Sequence, residues 1–414
     1  MSRGEPKAWK SHAFGLAAML VPAAMQFGLF AFLARTLGVE QYGLYIALLS
    51  WSPLCFELVG WGAGEYLIKQ SAQGKDAYAA AVGHMQAMLW LTLPLAVLCY
   101  ALLALGTTGL DIDLSVVLAI GFAEFAGMRM MVNAEQACIA QARLGLANWV
   151  RSVQVLPRAL GIILSFLLVN QQSFASLALG GSLGMLAGGL VVSLALRQRT
   201  SRQLGLSTSA LYQGTWFTGT QLVRAGQHNI DRVVLAPLVD PMTLGLYGAA
   251  QRFIQIGLLP IQSVLRVKYR GFFEAGAGGL RAALSYGWSV LPLTVLAATA
   301  ASLTLLAAAR LLPLLLGAEF EQSANYLLYL APILPLFALN SVLSDTLSGA
   351  GYLAIRLVLT AAGVAAQAVM FYLFHSGNQI VLASYAGIGL SCLLTGASIW
   401  LLLRAERRNT VASA

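Results

Sequence analysis

Long apolar segments recur along almost the whole chain and restrict its fold more than any other feature. A membrane span takes about 20 mostly apolar residues. Twelve candidates occur, at approximately 12–34, 43–66, 78–104, 115–138, 152–170, 174–196, 211–236, 244–265, 286–309, 324–346, 354–374 and 381–403. Inside a bilayer every backbone N–H and C=O needs a partner within the protein, so such spans form helices. The sequence therefore predicts an all-α polytopic membrane protein with about 12 transmembrane helices.

Composition agrees with this prediction, since 58% of the residues are apolar and only 10% are charged, against roughly 25% charged in soluble domains. The first apolar segment follows three cations and resembles a secretory signal, but it extends to Ala34, which is longer than a signal's apolar region. We interpret it as a retained first helix.

The four cysteines all lie in spans without a C-x-x-C pair, and the four histidines are scattered. We therefore expect neither disulfides nor a metal site.

The cations alternate between successive loops. With the amino terminus placed in the cytoplasm, the tails and even-numbered loops hold 18 Lys or Arg residues, and the opposite loops hold two, Arg35 and Arg310. This asymmetry satisfies the positive-inside rule and places both termini in the cytoplasm. The net charge of +9 is then largely a consequence of topology, so no nucleic-acid partner is expected.

Two stretches 202 positions apart resemble each other, Gly43-Leu44-Tyr45 with Ala47 and Gly245-Leu246-Tyr247 with Ala249. A chain that repeats at half its length indicates a duplication, with the halves packed about a shared centre. We predict an amino-terminal six-helix lobe at 1–196, a basic cytoplasmic linker at 197–210, and a carboxy-terminal six-helix lobe with a short basic tail at 211–414. Because each half has an even number of spans, the repeat is parallel, and the two lobes surround a central cavity.

Charged and polar side chains within the spans are the candidate functional residues, since such residues face a cavity or one another by default. Four lie deep in the membrane: Glu57, Glu124, Arg129 and Arg224. In the seventh span Gln221, Arg224, His228 and Asp231 follow helical spacing and form one polar stripe. In the fourth span Glu124 and Glu135 share one face, while Arg129, Asn133 and Gln136 share the opposite face, which predicts a central position for that helix. Each of these charged residues could instead have a purely structural role. Arg224 with Asp231, or Arg129 with Glu57, could be a buried ion pair that only holds helices together. Glu65 is expected to pair with Lys69 one turn later.

Enzyme motifs are nearly absent. Gly180-Gly181-Ser182-Leu183-Gly184 matches G-x-S-x-G, but a nucleophile elbow needs a strand-to-helix turn, and this motif lies inside a glycine-rich span. Gly180, Gly184 and Gly188 are better interpreted as a stripe that lets two helices approach closely. A membrane-bound polymerase or acyltransferase is disfavoured because the predicted outward loops are short. No enzymatic activity is expected.

Four segments carry recognisable motifs. They are Leu33-Ala34-Arg35-Thr36-Leu37-Gly38-Val39-Glu40-Gln41-Tyr42-Gly43-Leu44-Tyr45, Asn229-Ile230-Asp231-Arg232-Val233-Val234-Leu235, Gly245-Leu246-Tyr247-Gly248-Ala249-Ala250-Gln251-Arg252 and Leu312-Pro313-Leu314-Leu315-Leu316-Gly317-Ala318-Glu319-Phe320. With these motifs the chain resembles the bacterial polysaccharide (O-antigen type) flippases of the multidrug/oligosaccharidyl-lipid/polysaccharide exporter superfamily. We interpret these motifs mainly as turns, where glycine and tyrosine begin a helix at the membrane interface.

The resemblance implies a two-lobed, V-shaped transporter in the bacterial cytoplasmic membrane. It would move an undecaprenyl-pyrophosphate-linked oligosaccharide from the inner to the outer leaflet by alternating access, driven by H⁺ or Na⁺ and needing no other cofactor. A polysaccharide polymerase and a chain-length regulator would be its partners, besides membrane lipids. Asp231, Arg232 and Arg252 match motif positions of the family. The expected substrate-binding residues are Arg129, Arg224, Arg252, Asn133, Gln221 and His228, and the expected ion-coupling residues are Glu57, Glu124 and Asp231.

The main alternative is an ion-coupled small-molecule exporter of the multidrug type. These exporters usually carry an acidic residue in the first span, whereas residues 12–34 contain none. Lipid II flippases usually have fourteen spans, compared with the twelve found in this sequence. Both departures favour the polysaccharide branch of the superfamily.

Overall fold

The computed structural model describes the chain over residues 8–71, 75–169, 173–196 and 205–412, and its side chains over 24–71, 78–169, 173–196 and 205–406. Within these ranges the structure is helical and contains no strand. The first half contains α1 (Ala8–Leu49), α2 (Ser52–Phe56), α3 (Ala63–Ser71), α4 (Lys75–Thr108), α5 (Leu114–Ala140), α6 (Leu144–Val153), α7 (Val155–Leu168) and α8 (Phe174–Ala195). The second contains α9 (Thr208–Leu235), α10 (Pro241–Gly276), α11 (Leu280–Ala308), α12 (Leu312–Leu316), α13 (Glu321–Leu330), α14 (Leu334–Gly349), α15 (Leu353–Leu373) and α16 (Gln379–Ala412). The all-α prediction is confirmed.

Eight segments of the described chain are long and apolar enough to cross a membrane. They are Tyr78–Thr108, Leu114–Ala140, Leu144–Leu168, Phe174–Ala195, Leu280–Leu316, Ala318–Gly349, Leu353–Leu373 and Gln379–Glu406. The predicted spans outside this set are 12–34, 43–66, 211–236 and 244–265, which are the first two of each predicted half. The side chains of 12–23 lie outside the described residues, and the predicted second span is divided among α1, α2 and α3.

The chain divides into two compact units. The first comprises the described parts of 1–37 and 47–222, and the second comprises 38–46 and 223–414. In the first unit α5 contacts α3, α4, α6 and α8. In the second, α14 contacts α10, α11, α15 and α16. In the described part of the first unit α5 has the most helical neighbours, which agrees with the central position predicted for the fourth span, whereas in the second unit α11, α13 and α16 have as many as α14. The predicted linker at 197–210 lies largely outside the described residues.

The predicted boundary between the first two spans contains a break in α1. Two helices meet at Gly38, which has a non-helical conformation at φ 71° and ψ 175°, and the second of them continues to Leu49. A residue that leaves the helical conformation frees backbone groups of the next turn. Val39 donates its freed N–H to Glu319 Oε2 at 3.2 Å. The carboxylate of Glu319 therefore stabilises this break, which lies within the predicted boundary at 35–42.

Helices α7 and α8 approach each other through glycine. A Cβ at Gly161 would lie 2.2 Å from the carbonyl oxygen of Gly180, and a Cβ at Gly184 would lie 2.1 Å from that of Pro157. Any side chain at these positions would separate the helices, which is why small residues mark such crossings in membranes. The prediction for this stripe is confirmed. Ser182 lies within α8, so the G-x-S-x-G match is not a strand-to-helix turn.

Candidate functional site

The second predicted span is interrupted in its middle. Helix α2 ends at Phe56, α3 begins at Ala63, and a series of turns connects them. Gly60, Trp61 and Gly62 have φ values of 79°, 44° and 64°, a left-handed conformation that costs a non-glycine residue of order 1–3 kcal/mol. Non-helical backbone at membrane depth is tolerated only where it is buried in protein or lines a wet cavity. Strained backbone of this kind concentrates at functional sites.

Arg129 of α5 fills the space beside this interruption. Its side chain is buried, its Nη2 donates to the carbonyl oxygen of Phe56 at 3.1 Å, and its guanidinium lies 4.4 Å from the centre of the Phe56 ring. A Cβ at Gly60 would lie 3.3 Å from Arg129 Cδ and Nε. The Phe56 carbonyl also accepts from the backbone N–H of Val59 at 3.0 Å, so Arg129 adds a second donor to it and stacks on the last aromatic ring of α2.

Two carboxylates surround this guanidinium. Glu57 and Glu65 both attract the charge of Arg129. Glu65 also accepts hydrogen bonds from Gln136 Nε2 and Gln221 Nε2, each at 3.2 Å. The structure thus brings the predicted residues Glu57, Arg129 and Gln221 together around the interrupted span of the first unit.

Glu65 is the residue here that sequence reasoning missed. It was expected to form only an i, i+4 pair with Lys69, but Lys69 donates instead to Gln213 Oε1 at 2.7 Å. The expected pair was wrong because glutamine side chains of α5 and α9 reach Glu65 first. Sequence spacing on one helix gave no signal for such contacts between helices.

The two faces predicted for α5 are confirmed. Glu124 is paired with Arg158 Nη2 of α7 and accepts a hydrogen bond from Ser182 Oγ of α8 at 3.2 Å. Glu135, on the same face, pairs with Arg151 Nη2 at 2.8 Å. Arg129 and Gln136 point instead towards α2 and α3. Asn133 is buried on α5. Glu124 therefore has close partners within its own unit.

A second polar cluster lies in the second unit, where α9 meets α10. Asp231 and Tyr247 are both buried, at 3% and 1% exposure, and Tyr247 Oη donates to Asp231 Oδ2 at 3.0 Å. The other oxygen, Oδ1, is buried without a hydrogen-bond partner in the described part of the chain. A buried carboxylate oxygen without a partner is costly in a low-dielectric interior. Asp231 therefore keeps an unused hydrogen-bond acceptor in the interior of the second unit.

Arg232, the next residue, is also buried. Its Nε and Nη2 find no hydrogen-bond partner among the residues described. Arg232 interacts electrostatically with four neighbours, Arg252, Asp231, Tyr42 and Tyr247. The cluster is therefore of mixed charge, and only part of its hydrogen-bonding capacity is used.

The remaining predicted residues lie on the surface of the second unit. Arg224, His228 and Arg252 are exposed. Arg224 and Asp231 both act electrostatically on the His228 ring, as the predicted polar stripe requires. Arg252 Nη1 makes a long hydrogen bond of 3.4 Å to Gln255 Oε1. Exposed guanidinium groups at such positions can bind an anionic ligand, because they present several donors in one plane.

The sequence matches the profile of one protein family over residues 8–267, and that family is described as polysaccharide biosynthesis protein. No curated protein sequence matches the chain. Solved structures of several membrane transporters resemble the fold.

One of these is an inward-facing multidrug resistance transporter of the MATE family, from the MOP superfamily. It has a TM-score of 0.71 and 14% identity, with 94% of this chain and 99% of that chain covered. Another is the lipid II flippase MurJ in an inward closed conformation, with a TM-score of 0.71, 12% identity, and 92% and 86% covered. An outward-facing MATE transporter has a TM-score of 0.60 and 15% identity, with 98% of both chains covered. At these identities the similarity establishes the fold.

Proposed function

The chain belongs to the polysaccharide biosynthesis protein family, and on that premise we propose that it is a flippase for a lipid-linked oligosaccharide. It would move an undecaprenyl-pyrophosphate-linked glycan from the inner to the outer leaflet of the bacterial cytoplasmic membrane, with both of its own termini in the cytoplasm. The fold is that of membrane transporters, including a lipid II flippase. The chain is a multi-pass membrane protein and, in this proposal, not an enzyme.

One observation carries the proposal. Each unit holds a cluster of buried or partly buried polar side chains, with Arg129, Glu57 and Glu65 in one and Asp231, Arg232 and Tyr247 in the other. A charge at mid-bilayer costs at least about 2.5 kcal/mol. A protein that bears this cost in both of its units uses those charges. An ion-coupled carrier needs such groups in a cavity that opens to each side in turn.

In this mechanism Arg224 and Arg252 attract the pyrophosphate, because guanidinium groups match phosphate geometry. His228, Gln221 and Asn133 add hydrogen bonds, and Arg129 contributes its charge beside the interrupted span. Asp231 and Glu57 take up and release the coupling ion, H⁺ or Na⁺. Glu124 belongs to the same set, with its pairing to Arg158 exchanged during the cycle. A polysaccharide polymerase and a chain-length regulator would act on the exported product.

The decisive experiment is complementation of a strain that lacks its own O-antigen flippase. Arg224→Ala should abolish surface glycan at an unchanged protein level, whereas Arg404→Ala, in the cytoplasmic tail, should leave the glycan unchanged. Full surface glycan in the Arg224→Ala strain would reject the assignment of Arg224. Failure of the unmodified chain to restore glycan would reject the function itself.

A second candidate, an ion-coupled small-molecule exporter, is favoured by the equal structural similarity to a MATE transporter. The same strains separate the two. Resistance to cationic dyes that depends on the chain, with surface glycan unaffected, would select the exporter.

A further inference from the structure

An apolar groove runs along the outside of the first unit, between α6–α7 and α8. Its volume is about 770 Å³, within the usual range of about 300–1,000 Å³ for ligand sites. Leu160, Leu164 and Leu168 form one wall, and Leu183 and Val191 form the other. All five side chains are more than half exposed, so the groove is open to the surroundings along its length.

The floor of the groove follows from the local sequence. Gly161, Gly180 and Gly184 lie along it, and their missing side chains bring the two helix backbones together. Large side chains on both edges and none at the contact leave a furrow instead of a flat lipid-facing surface. Pro157 packs against Gly188, where a Cβ would lie 2.3 Å from the proline Cγ, and this contact closes the floor.

The groove is longer than one leaflet. It extends from Trp149 to Leu168, a distance of about 29 Å along a helix axis. The hydrocarbon core of a bilayer is about 30 Å thick, so each leaflet contributes about 15 Å. The acyl chain of a phospholipid ends near the midplane and would fill only half of this length. A longer chain can occupy all of it.

The ends of the groove differ in charge. At the end near Trp149, which the charge pattern predicts to be cytoplasmic, lie Arg143, which is exposed, and Arg151, whose side chain is 68% exposed. Residues 168–176 at the other end contain no Lys or Arg. Arg151 also pairs with Glu135 at 2.8 Å, but the two cations outnumber this carboxylate, so an anionic head group is favoured at the predicted cytoplasmic end.

We propose that this groove binds the isoprenoid chain of a polyprenyl-pyrophosphate carrier, with the pyrophosphate near Arg143 and Arg151. This inference rests on the proposed function and adds to it a holding site for the lipid part of the substrate. The glycan would pass through the polar clusters while the apolar chain stays outside the protein core, in contact with lipid.

The test uses the full chain in vesicles of phosphatidylethanolamine and phosphatidylglycerol that contain undecaprenyl phosphate. A photoreactive benzophenone side chain replaces Leu164 in the groove or, as a matched control, Leu190 on α8, which is 44% exposed and does not line the groove. After irradiation, mass spectrometry gives the ratio of undecaprenyl phosphate adducts to phospholipid adducts. We expect this ratio to be roughly tenfold higher at position 164, which corresponds to about 1.4 kcal/mol. Equal ratios at the two positions would overturn the proposal.

Two further measurements test the chain length that the groove requires and whether the lipid binds in the groove itself. Farnesyl phosphate, which is too short to cross the midplane, should compete poorly, and competition equal to that of undecaprenyl phosphate would also overturn the proposal. With the probe at position 164, Ala187→Trp should fill the groove and reduce the ratio to the control value. Leu194→Trp, on the same helix outside the groove, should not reduce it.

Crosslinking measures binding and not transport, so the two proposals can fail separately. A chain that shows the specific adduct but does not restore surface glycan would contradict the flippase and leave the groove assignment intact. If cells carrying Ala187→Trp kept normal surface glycan while the adduct was lost, a role of the groove in export would be overturned while the flippase remained.

Discussion

Gly43 of α1 and Gly245 of α10 contact each other reciprocally. A Cβ at Gly43 would lie 1.7 Å from the carbonyl oxygen of Pro241, and a Cβ at Gly245 would lie 2.2 Å from that of Val39. Each glycine thus meets the carbonyl four residues before its counterpart. This is the pattern of a two-fold contact, in which residue i meets j and j meets i. The two copies of the duplicated motif pack on one another within the second unit.

The contact predicts that neither glycine tolerates a methyl group. Gly43→Ala and Gly245→Ala would push helix backbones apart, and overpacking of this kind costs about 1–3 kcal/mol or more. We expect a lower melting temperature in detergent and less monodisperse protein on size-exclusion chromatography. Gly389→Ala is the matched control, because nothing lies within 4 Å of a Cβ at Gly389, and it should be neutral. Equal melting temperatures for all three variants would contradict the close crossing.

This motif also shows how far the sequence could be interpreted. Sequence periodicity correctly predicted the repeat, the helical class and the two faces of α5. Periodicity depends only on neighbouring residues, so it is not altered when the helices pack. The motif glycines were interpreted as turns, yet Gly43 lies inside α1 and is needed for a contact 202 positions away. Nothing in one copy of a motif shows that its partner is the other copy.

The candidate site was predictable only in part, for a related reason. Depth in the membrane correctly selected Arg129 and Glu124 as buried charges, but Arg224, selected on the same ground, is exposed. It could not show that Arg129 binds the carbonyl of Phe56, because the interruption after α2 depends on left-handed Gly60 and Gly62. Partner choice depends on the three-dimensional arrangement of helices, which apolar spacing does not encode.

Arg129 is predicted to stabilise the interrupted span as well as to serve transport. Arg129→Lys keeps the charge but loses the planar group that both binds the Phe56 carbonyl and stacks on the ring. A hydrogen bond from a charged group contributes about 1.5–3 kcal/mol, so we expect a clear loss of thermal stability in the purified protein. The same conservative change at exposed Arg224 should leave stability unchanged. If Arg129→Lys lost transport at full stability, its role would be confined to the substrate.

Tyr247 is predicted to hold Asp231 in place. Tyr247→Phe removes the hydroxyl that donates to Asp231 Oδ2. The other oxygen, Oδ1, already lacks a hydrogen-bond partner in the described part of the chain. Leaving a buried acceptor unsatisfied costs about 1–3 kcal/mol. We expect lower thermal stability and altered dependence of glycan export on external Na⁺ or pH. The double variant Tyr247→Phe with Asp231→Asn should recover stability without recovering ion dependence. Unchanged ion dependence in both variants would show that Asp231 is not a coupling residue.

Asp240 should make the start of α10 sensitive to acid. Its carboxylate caps the helix, accepting from the backbone N–H of Thr243 at 2.9 Å and from the Thr243 hydroxyl at 2.7 Å. Burial raises the pKa of Asp240, but the hydrogen bonds from Thr243 outweigh this, and the pKa lies below its ordinary value. A carboxyl group with a lowered pKa in the folded state stabilises the protein above its unfolded-state value of about 3.9, and this contribution is lost as the pH falls through the folded-state pKa.

The cap also fixes Pro241, whose carbonyl meets Gly43. Asp240→Ala should therefore destabilise the contact between the repeats by about 0.5–2 kcal/mol at neutral pH. Asp240→Asn keeps a capping side chain without a titrating group, so at neutral pH it should stay close to the unmodified protein and show a shallower loss of stability on acidification. The measurement is the thermal unfolding temperature of the unmodified protein and of both Asp240 variants, in detergent, from neutral to acid pH. If the alanine and asparagine variants unfolded at the same temperature at neutral pH, the cap would not contribute to the fold, and the link from Asp240 through Pro241 to Gly43 would be absent.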